Sequence, residues 1–197
     1  MAYKSFLTIR EMTLCAMFVA LMTIGGQIKL DFTGVPFTLQ TLIVMLAGSL
    51  LGKRLGTISM FVFIALVAVG APLLAGFKGG IGTLFGPTGG YIWCFPLATY
   101  LIGFCIEKLR RGQKPKYWHV LCAFLLGGVV VVHLIGFIWF CSYMNVPYGQ
   151  NLVIGLFVFI PGDVIKAVVA TVISLGVYNA MPGLLRNNRA KSSKAIG

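Results

Sequence analysis

The sequence predicts an all-α membrane protein with six transmembrane helices in one bundle. Of its 197 residues, 58% are hydrophobic and 10% are charged, and the mean hydropathy is +0.94. A soluble domain carries roughly 25% charged residues. Crossing the hydrocarbon core takes about 20 mostly apolar residues, and six such runs follow one another. We treat residues 1–197 as a single domain with predicted spans at 11–28, 38–52, 56–71, 90–107, 118–140 and 160–181.

Helices are the secondary structure expected for these runs. Inside lipid, each backbone N–H and C=O group must be hydrogen-bonded within its own segment, and the runs lack the two-residue alternation of a barrel strand. The second and third spans are short and are separated by Lys53 and Arg54. Gly48, Gly52 and Gly56 recur one turn apart in this region, which predicts close approach of the helix backbones.

The distribution of basic residues predicts the orientation of the protein in the cell membrane. The formal net charge is +12, and most Lys and Arg lie at the N-terminus, in the second and fourth loops, and in the C-terminal tail. The opposite loops hold only Lys29 and Lys78. By the positive-inside rule both termini are cytoplasmic, and an even number of spans requires them to share a side. Because the basic residues lie between apolar runs rather than along a polar face, the positive net charge does not indicate nucleic-acid binding.

The segment between the third and fourth spans predicts a glycine-rich outer loop that caps a ligand pocket. Residues 70–91 combine much of the chain's glycine with apolar side chains. Glycine lets backbone amides approach a ligand, and irregular backbone at membrane depth is tolerated where it lines a cavity. The alternative is a flexible outer loop, but flexible linkers are usually polar and Ser-rich. The candidate ligand contacts here are Gly79, Gly80 and Thr88, with Phe77, Phe85 and Tyr91 as walls for an apolar body.

Two opposite charges stand at the start of the last span, in FIPGDVIKAVVA. Pro161 and Gly162 mark the helix start, so Asp163 lies in the first turn, where the helix dipole favours a carboxylate. Lys166 follows three residues later and projects from the same face. An ionisable residue at membrane depth costs roughly 2.5–3.5 kcal/mol and indicates a functional site. The alternative is a self-neutralising pair that only helps the helix to pack.

Neutral hydrogen-bonding residues are expected beside this pair, because Thr38 and Gln40 lie at the outer end of the second span. A carboxylate accepts N–H donors, and an ammonium can hold a ligand carboxylate. The predicted ligand is therefore a small, largely apolar molecule with one acid group and a polar head.

Residues for catalysis, metal binding or a cofactor are not predicted. Asp163 is the only acidic residue expected inside the bundle, and the scattered cysteines have no metal-ligand or redox spacing. His119 and His133 are solitary and are interpreted as interface or packing histidines. A small membrane enzyme would need a paired acid and base or clustered metal ligands. We therefore expect a protein that is not an enzyme.

Three short runs carry a resemblance to a known family. They are VPFTLQTL at 35–42, GPTGGY at 86–91 and PGDVIKA at 161–167. In sequence, order and spacing they resemble the biotin-specific S components (BioY family) of energy-coupling factor (ECF) transporters. The resemblance covers nearly the whole chain. Phe77 and Lys78 depart from it, since many relatives have a plainer glycine run there.

The resemblance implies a six-helix membrane subunit that binds biotin from the outside and has no ATPase of its own. It implies partners as well: a transmembrane ECF scaffold subunit and two cytoplasmic ATP-binding cassette ATPases. Ala16 and Ala20 match the family's docking motif on the first helix, and Asp163 and Lys166 match its residues for biotin recognition. Biotin is then the transported ligand rather than a cofactor, and membrane lipid surrounds the chain.

A self-sufficient secondary carrier for a small carboxylate vitamin is the alternative function. Such carriers often contain inverted repeats with interrupted helices at corresponding positions. The sequence contains no convincing internal repeat, which favours a subunit that depends on partners for energy.

Overall fold

The computed structural model describes residues 7–31, 36–110, 115–147 and 159–181. In these ranges the chain is mostly helical, because helices satisfy the backbone groups of apolar runs internally. The helices are α1 (Ile9–Gln27), α2 (Gln40–Leu46), α3 (Gly52–Ala68), α4 (Ile81–Leu84), α5 (Gly89–Arg110), α6 (Tyr117–Phe124), α7 (Val132–Met144) and α8 (Ile160–Ala180). The π-helical segments Ala47–Leu51 and Leu125–Val131 join α2 to α3 and α6 to α7.

Five helical stretches in the described ranges are long and apolar enough to cross a membrane. They are Ile9–Gln27, Gln40–Ala68, Gly89–Leu109, Tyr117–Met144 and Ile160–Ala180. Four of the predicted spans coincide with one stretch each, to within a few residues. The two short predicted spans, 38–52 and 56–71, both fall on the stretch Gln40–Ala68.

The stretch Gln40–Ala68 changes direction at Gly52. This residue has φ 76° and ψ 176°, a backbone conformation that residues with a Cβ rarely adopt. In a straight helix Ala47 and Gly56 would be about 13.5 Å apart, yet a Cβ added to Gly56 would lie 2.8 Å from the Ala47 carbonyl oxygen. The two arms therefore lie side by side. The expected loop at Lys53 and Arg54 is absent, since the chain turns at one glycine and both residues belong to α3.

A short ribbon connects α1 to α2 and departs from the all-α prediction. Its strands β1 (Lys29–Asp31) and β2 (Pro36–Thr38) are antiparallel, with Lys29 opposite Thr38. The Leu39 amide donates to the Gly25 carbonyl at 3.0 Å, which fixes the end of the ribbon against α1. The ribbon thus holds the start of α2 in a defined place.

Helix α5 forms the centre of the described bundle. It packs against α3, α6, α7 and both π-helical segments, and its residues Ala98 and Ile102 are fully buried. Gly48 and Gly127 of the two π-helical segments approach Ile102 so closely that a Cβ on either would overlap its side chain. Small residues thus bring the two π-helical segments close to α5, as is usual where helices pack within a membrane.

Two of the four acidic residues have structural roles away from the core. Glu11 forms a capping box with Thr8 at the start of α1. Glu107 of α5 forms a partly exposed ion pair with Lys53, at 3.1 Å. Asp163, by contrast, is 2% exposed, so its burial needs a different explanation.

Candidate functional site

A cavity of about 620 Å³ lies where α2, α5, α7 and the start of α8 meet the segment between α3 and α5. Its volume is within the range of small-molecule sites, roughly 300–1,000 Å³. The lining combines apolar and aromatic side chains with a few buried polar groups, as such sites require. It comprises Lys29, Phe37, Thr38, Gln40, Thr41, Leu74, Ala75, Lys78, Gly82, Thr83, Gly86, Pro87, Thr88, Tyr91, Ile92, Phe95, Val132, His133, Tyr143, Phe159, Asp163 and Lys166.

The first two turns of α8 bring both charged residues to this cavity. Pro161 stands in the first turn, where its missing N–H costs no helix hydrogen bond. Gly162 packs against the Phe37 ring so closely that a Cβ would overlap the ring. Asp163 and Lys166 follow on one face and are both buried.

The Lys166 ammonium is held by three oxygen atoms. Its Nζ donates to Asp163 Oδ1 at 2.7 Å, to the Thr38 carbonyl at 2.6 Å and to Thr41 Oγ1 at 3.1 Å. It also lies 3.4 Å from the centre of the Phe37 ring, in a cation–π contact. Lysine has three N–H donors, so all of them are engaged within the protein.

Thr41 links the two charges. Its hydroxyl accepts from Lys166 and donates to Asp163 Oδ1 at 2.8 Å. Hydrogen bonds to the charged form stabilise a carboxylate in a buried position. The sequence prediction did not include Thr41, because its partners are 122 and 125 residues away along the chain.

His133 is a second residue that the sequence prediction missed. Its Nε2 lies 3.1 Å from Asp163 Oδ2, the separation of an ion pair, although neither ring nitrogen has an aligned hydrogen bond among the described residues. The ring stands edge-on to Tyr91 and Phe159. The interpretation of His133 as a solitary packing histidine was therefore wrong. Only the contact between α7 and α8, which the sequence does not reveal, identifies it as part of the site.

Four neutral residues of the predicted site line the cavity: Thr38, Gln40, Thr88 and Tyr91. The Gln40 amide is already engaged, since it donates to the Met22 carbonyl at 3.4 Å and accepts from Thr38 Oγ1 at 3.3 Å. The structure thus brings these residues and the Asp163–Lys166 pair to one cavity.

The other four predicted contacts lie outside the cavity lining. Phe77 is 70% exposed and has φ 56° at the tip of a turn, so its ring points away from the bundle. Phe85 is 55% exposed and packs against Trp93. Gly79 lies against the Ala71 backbone, and Gly80 precedes α4. The aromatic walls come instead from Tyr91 and from Phe37, Phe95 and Phe159.

The glycine-rich segment is fixed to the helices by side chains. Trp93 of α5 donates through Nε1 to the Leu84 carbonyl at 3.1 Å, and Trp139 of α7 donates to the Gly86 carbonyl at 2.9 Å. Each indole thus ties one backbone carbonyl of the segment to a long helix. The segment therefore forms an ordered wall of the cavity.

This arrangement favours binding of a neutral polar group. The Asp163 carboxylate and the Lys166 ammonium neutralise one another, and the carboxylate retains lone pairs for further N–H donors. The aromatic rings around it suit an apolar body with a polar end. Groups of His, Cys, Asp and Glu that could hold a metal ion do not occur in the described ranges.

Removing one member of the buried pair is expected to destabilise the protein more than removing both. Lys166→Met leaves the Asp163 carboxylate without its ammonium, a change that costs about 3–5 kcal/mol in buried pairs. The double variant Asp163→Leu/Lys166→Met removes both charges and should recover most of this loss. Thermal unfolding in detergent measures the difference, and equal losses in both variants would contradict a coupled pair.

Comparisons with known proteins identify the family of the chain. The BioY family model matches residues 1–183. A probable biotin transporter BioY from Pyrococcus horikoshii is 41% identical over 165 residues, covering 84% of this chain and 94% of the relative. The biotin transporter BioY of Lactococcus lactis subsp. cremoris is 39% identical over 168 residues, covering 84% and 88%. The crystal structure of an S-component for biotin from an ECF-type ABC transporter matches with a TM-score of 0.81 and 36% identity, covering 90% of this chain and 95% of that one. A family model that spans nearly the whole chain, relatives this similar and a shared fold lead to one conclusion: the protein belongs to the BioY family.

Proposed function

We propose that the chain is the substrate-binding S subunit of an ECF-type importer that takes up biotin. The observation that carries this proposal is the buried Asp163–Lys166–Thr41 network at the base of the cavity, in a chain whose relatives are named biotin transporters. Membership of this family supports transport rather than catalysis. Biotin is the cargo in this scheme, and no cofactor takes part.

The chemistry of biotin fits the cavity. Its ureido ring presents two N–H donors and a carbonyl, its fused ring system is apolar, and its side chain ends in a carboxylate. Asp163 is placed to accept the ureido N–H groups, and the Tyr91 hydroxyl lines the same cavity as a candidate donor to the ureido carbonyl. Phe37, Phe95 and Phe159 pack around the apolar rings. Thr88 and Gln40 complete the polar part of the proposed site.

We further propose six membrane spans in a single domain, 1–197, with the glycine-rich segment as the cap of the ligand pocket on the outer side. The turn at Gly52 supports six spans, because the two arms of Gln40–Ala68 lie side by side. The basic residues of the loops and tail support cytoplasmic termini.

An epitope tag on the C-terminus should bind antibody only after cells are permeabilised. Binding to intact cells would contradict this orientation.

The first helix offers a face for a membrane partner. Ala16 and Ala20 are exposed one turn apart on α1, in line with the exposed Met12 and Ile24. Small residues on such a face let a second helix approach closely. We propose that this face contacts the ECF scaffold subunit and that two cytoplasmic ATP-binding cassette ATPases supply the energy. Lipid covers the remaining apolar surface.

The purified chain alone is expected to bind biotin, and the buried pair is expected to be required. Asp163→Ala and Lys166→Ala should each weaken binding at least about tenfold, because each removes a charge-assisted hydrogen-bond partner from a buried network. Isothermal titration in detergent measures the dissociation constant, with gel filtration to verify that each variant remains folded.

Lys53→Ala is the matched control, since it breaks the ion pair with Glu107 outside the cavity. It should leave the dissociation constant unchanged. Wild-type affinity in both Asp163→Ala and Lys166→Ala would show that the site lies elsewhere.

Transport is expected to depend on partners. Membrane vesicles that contain the chain together with scaffold and ATPase subunits should accumulate labelled biotin when supplied with ATP, whereas vesicles with the chain alone should only bind it. Accumulation by the chain alone, driven by an ion gradient, would instead support a self-sufficient secondary carrier.

A further inference from the structure

Three lysines line the cavity within the described ranges, and one of them is fully engaged by protein oxygens. At the base, Lys166 uses its three donors on Asp163, Thr38 and Thr41. An acid group of a ligand could bind this ammonium only by displacing one of these buried partners. The two other cations that line the cavity within the described ranges are Lys29 and Lys78, both exposed. A ligand carboxylate that leaves the Lys166 network intact therefore has these two exposed lysines as its available cations.

The backbone around Lys78 is held in place. The Leu74 amide donates to the Lys78 carbonyl at 2.9 Å, which closes a tight turn over residues 74–78. The Gln27 side chain at the end of α1 binds both arms of this turn: its Nε2 donates to the Leu74 carbonyl at 3.0 Å, and its Oε1 accepts from the Phe77 amide at 3.2 Å. Lys78 is therefore fixed at the cavity edge, while its long side chain remains free to reach a ligand.

We propose that Lys78 binds the carboxylate of the cargo and makes the chain select the free acid over neutral derivatives. The inference rests on the proposed function, since it takes the cargo to be biotin. An N–H-rich head fits against Asp163, which carries a negative charge and lone pairs, and the anionic tail is then left to pair with an exposed lysine of the lining. The sequence agrees with a role particular to this chain, because Phe77 and Lys78 interrupt a glycine-rich stretch.

The test compares two ligands on the wild-type chain and on lysine variants of the full chain. Biotin and biotinamide share the ring system, but only biotin carries a tail charge. The wild type should bind biotin about tenfold more tightly, the effect of one charge-assisted contact. In Lys78→Gln this preference should disappear, with biotinamide affinity unchanged and the biotin affinity lowered to the same level. Lys78→Arg keeps the positive charge, so this variant should prefer biotin to biotinamide as the wild type does.

The outcomes separate the two proposals. Equal binding of both ligands by the wild type, an equal loss of both in Lys78→Gln, or loss of the preference in Lys29→Gln instead would overturn the role of Lys78 while leaving biotin binding in place. Failure of the wild type to bind either ligand would refute the proposed function, and the role of Lys78 with it. Unchanged biotinamide binding in Lys78→Gln also shows that the variant is folded.

Discussion

The buried contact between Asp163 and Lys166 is the interaction on which the rest of the site depends. An ionised carboxylate in a bilayer is costly. Here an ammonium 2.7 Å away neutralises its charge, and a hydroxyl 2.8 Å away donates a hydrogen bond to it. Thr38 and Thr41 bring the start of α2 to this pair, and His133 brings α7. Three helices thus converge on one carboxylate. Replacing a buried ion pair by apolar residues of similar volume is often neutral or stabilising, so packing alone does not require these charges.

The packing of the bundle makes this convergence possible. Small residues allow α5 to lie close to its neighbours, and Gly136 of α7 admits the Tyr91 ring, which a Cβ there would overlap. Tyr91 then stands edge-on to His133, with ring centres 6.3 Å apart. Close backbone approach is therefore what places an aromatic wall next to the polar base of the cavity. The indole hydrogen bonds of Trp93 and Trp139 add the glycine-rich segment to the same assembly.

The sequence predicted what depends on local composition and missed what depends on long-range contact. Apolar runs located the membrane stretches, and two charges in an apolar helix start identified Asp163 and Lys166. Thr41 and His133 were not predicted as site residues, because their partners belong to other helices. Phe77 and Phe85 were expected to face the ligand, but side-chain direction in an irregular segment is set by backbone angles such as the φ of 56° at Phe77. The prediction of a loop after Gly52 was wrong for a similar reason. Gly52 alone, with φ 76°, reverses the chain.

The most direct measurement is a structure of the chain bound to biotin. We expect density for the ureido ring within about 3 Å of the Asp163 carboxylate, the distance of a hydrogen bond, with the ring system between Phe37, Phe95 and Phe159. The Lys166 contacts to Thr38 and Thr41 should persist in that structure. Biotin bound at another surface, with the cavity unoccupied, would contradict the account.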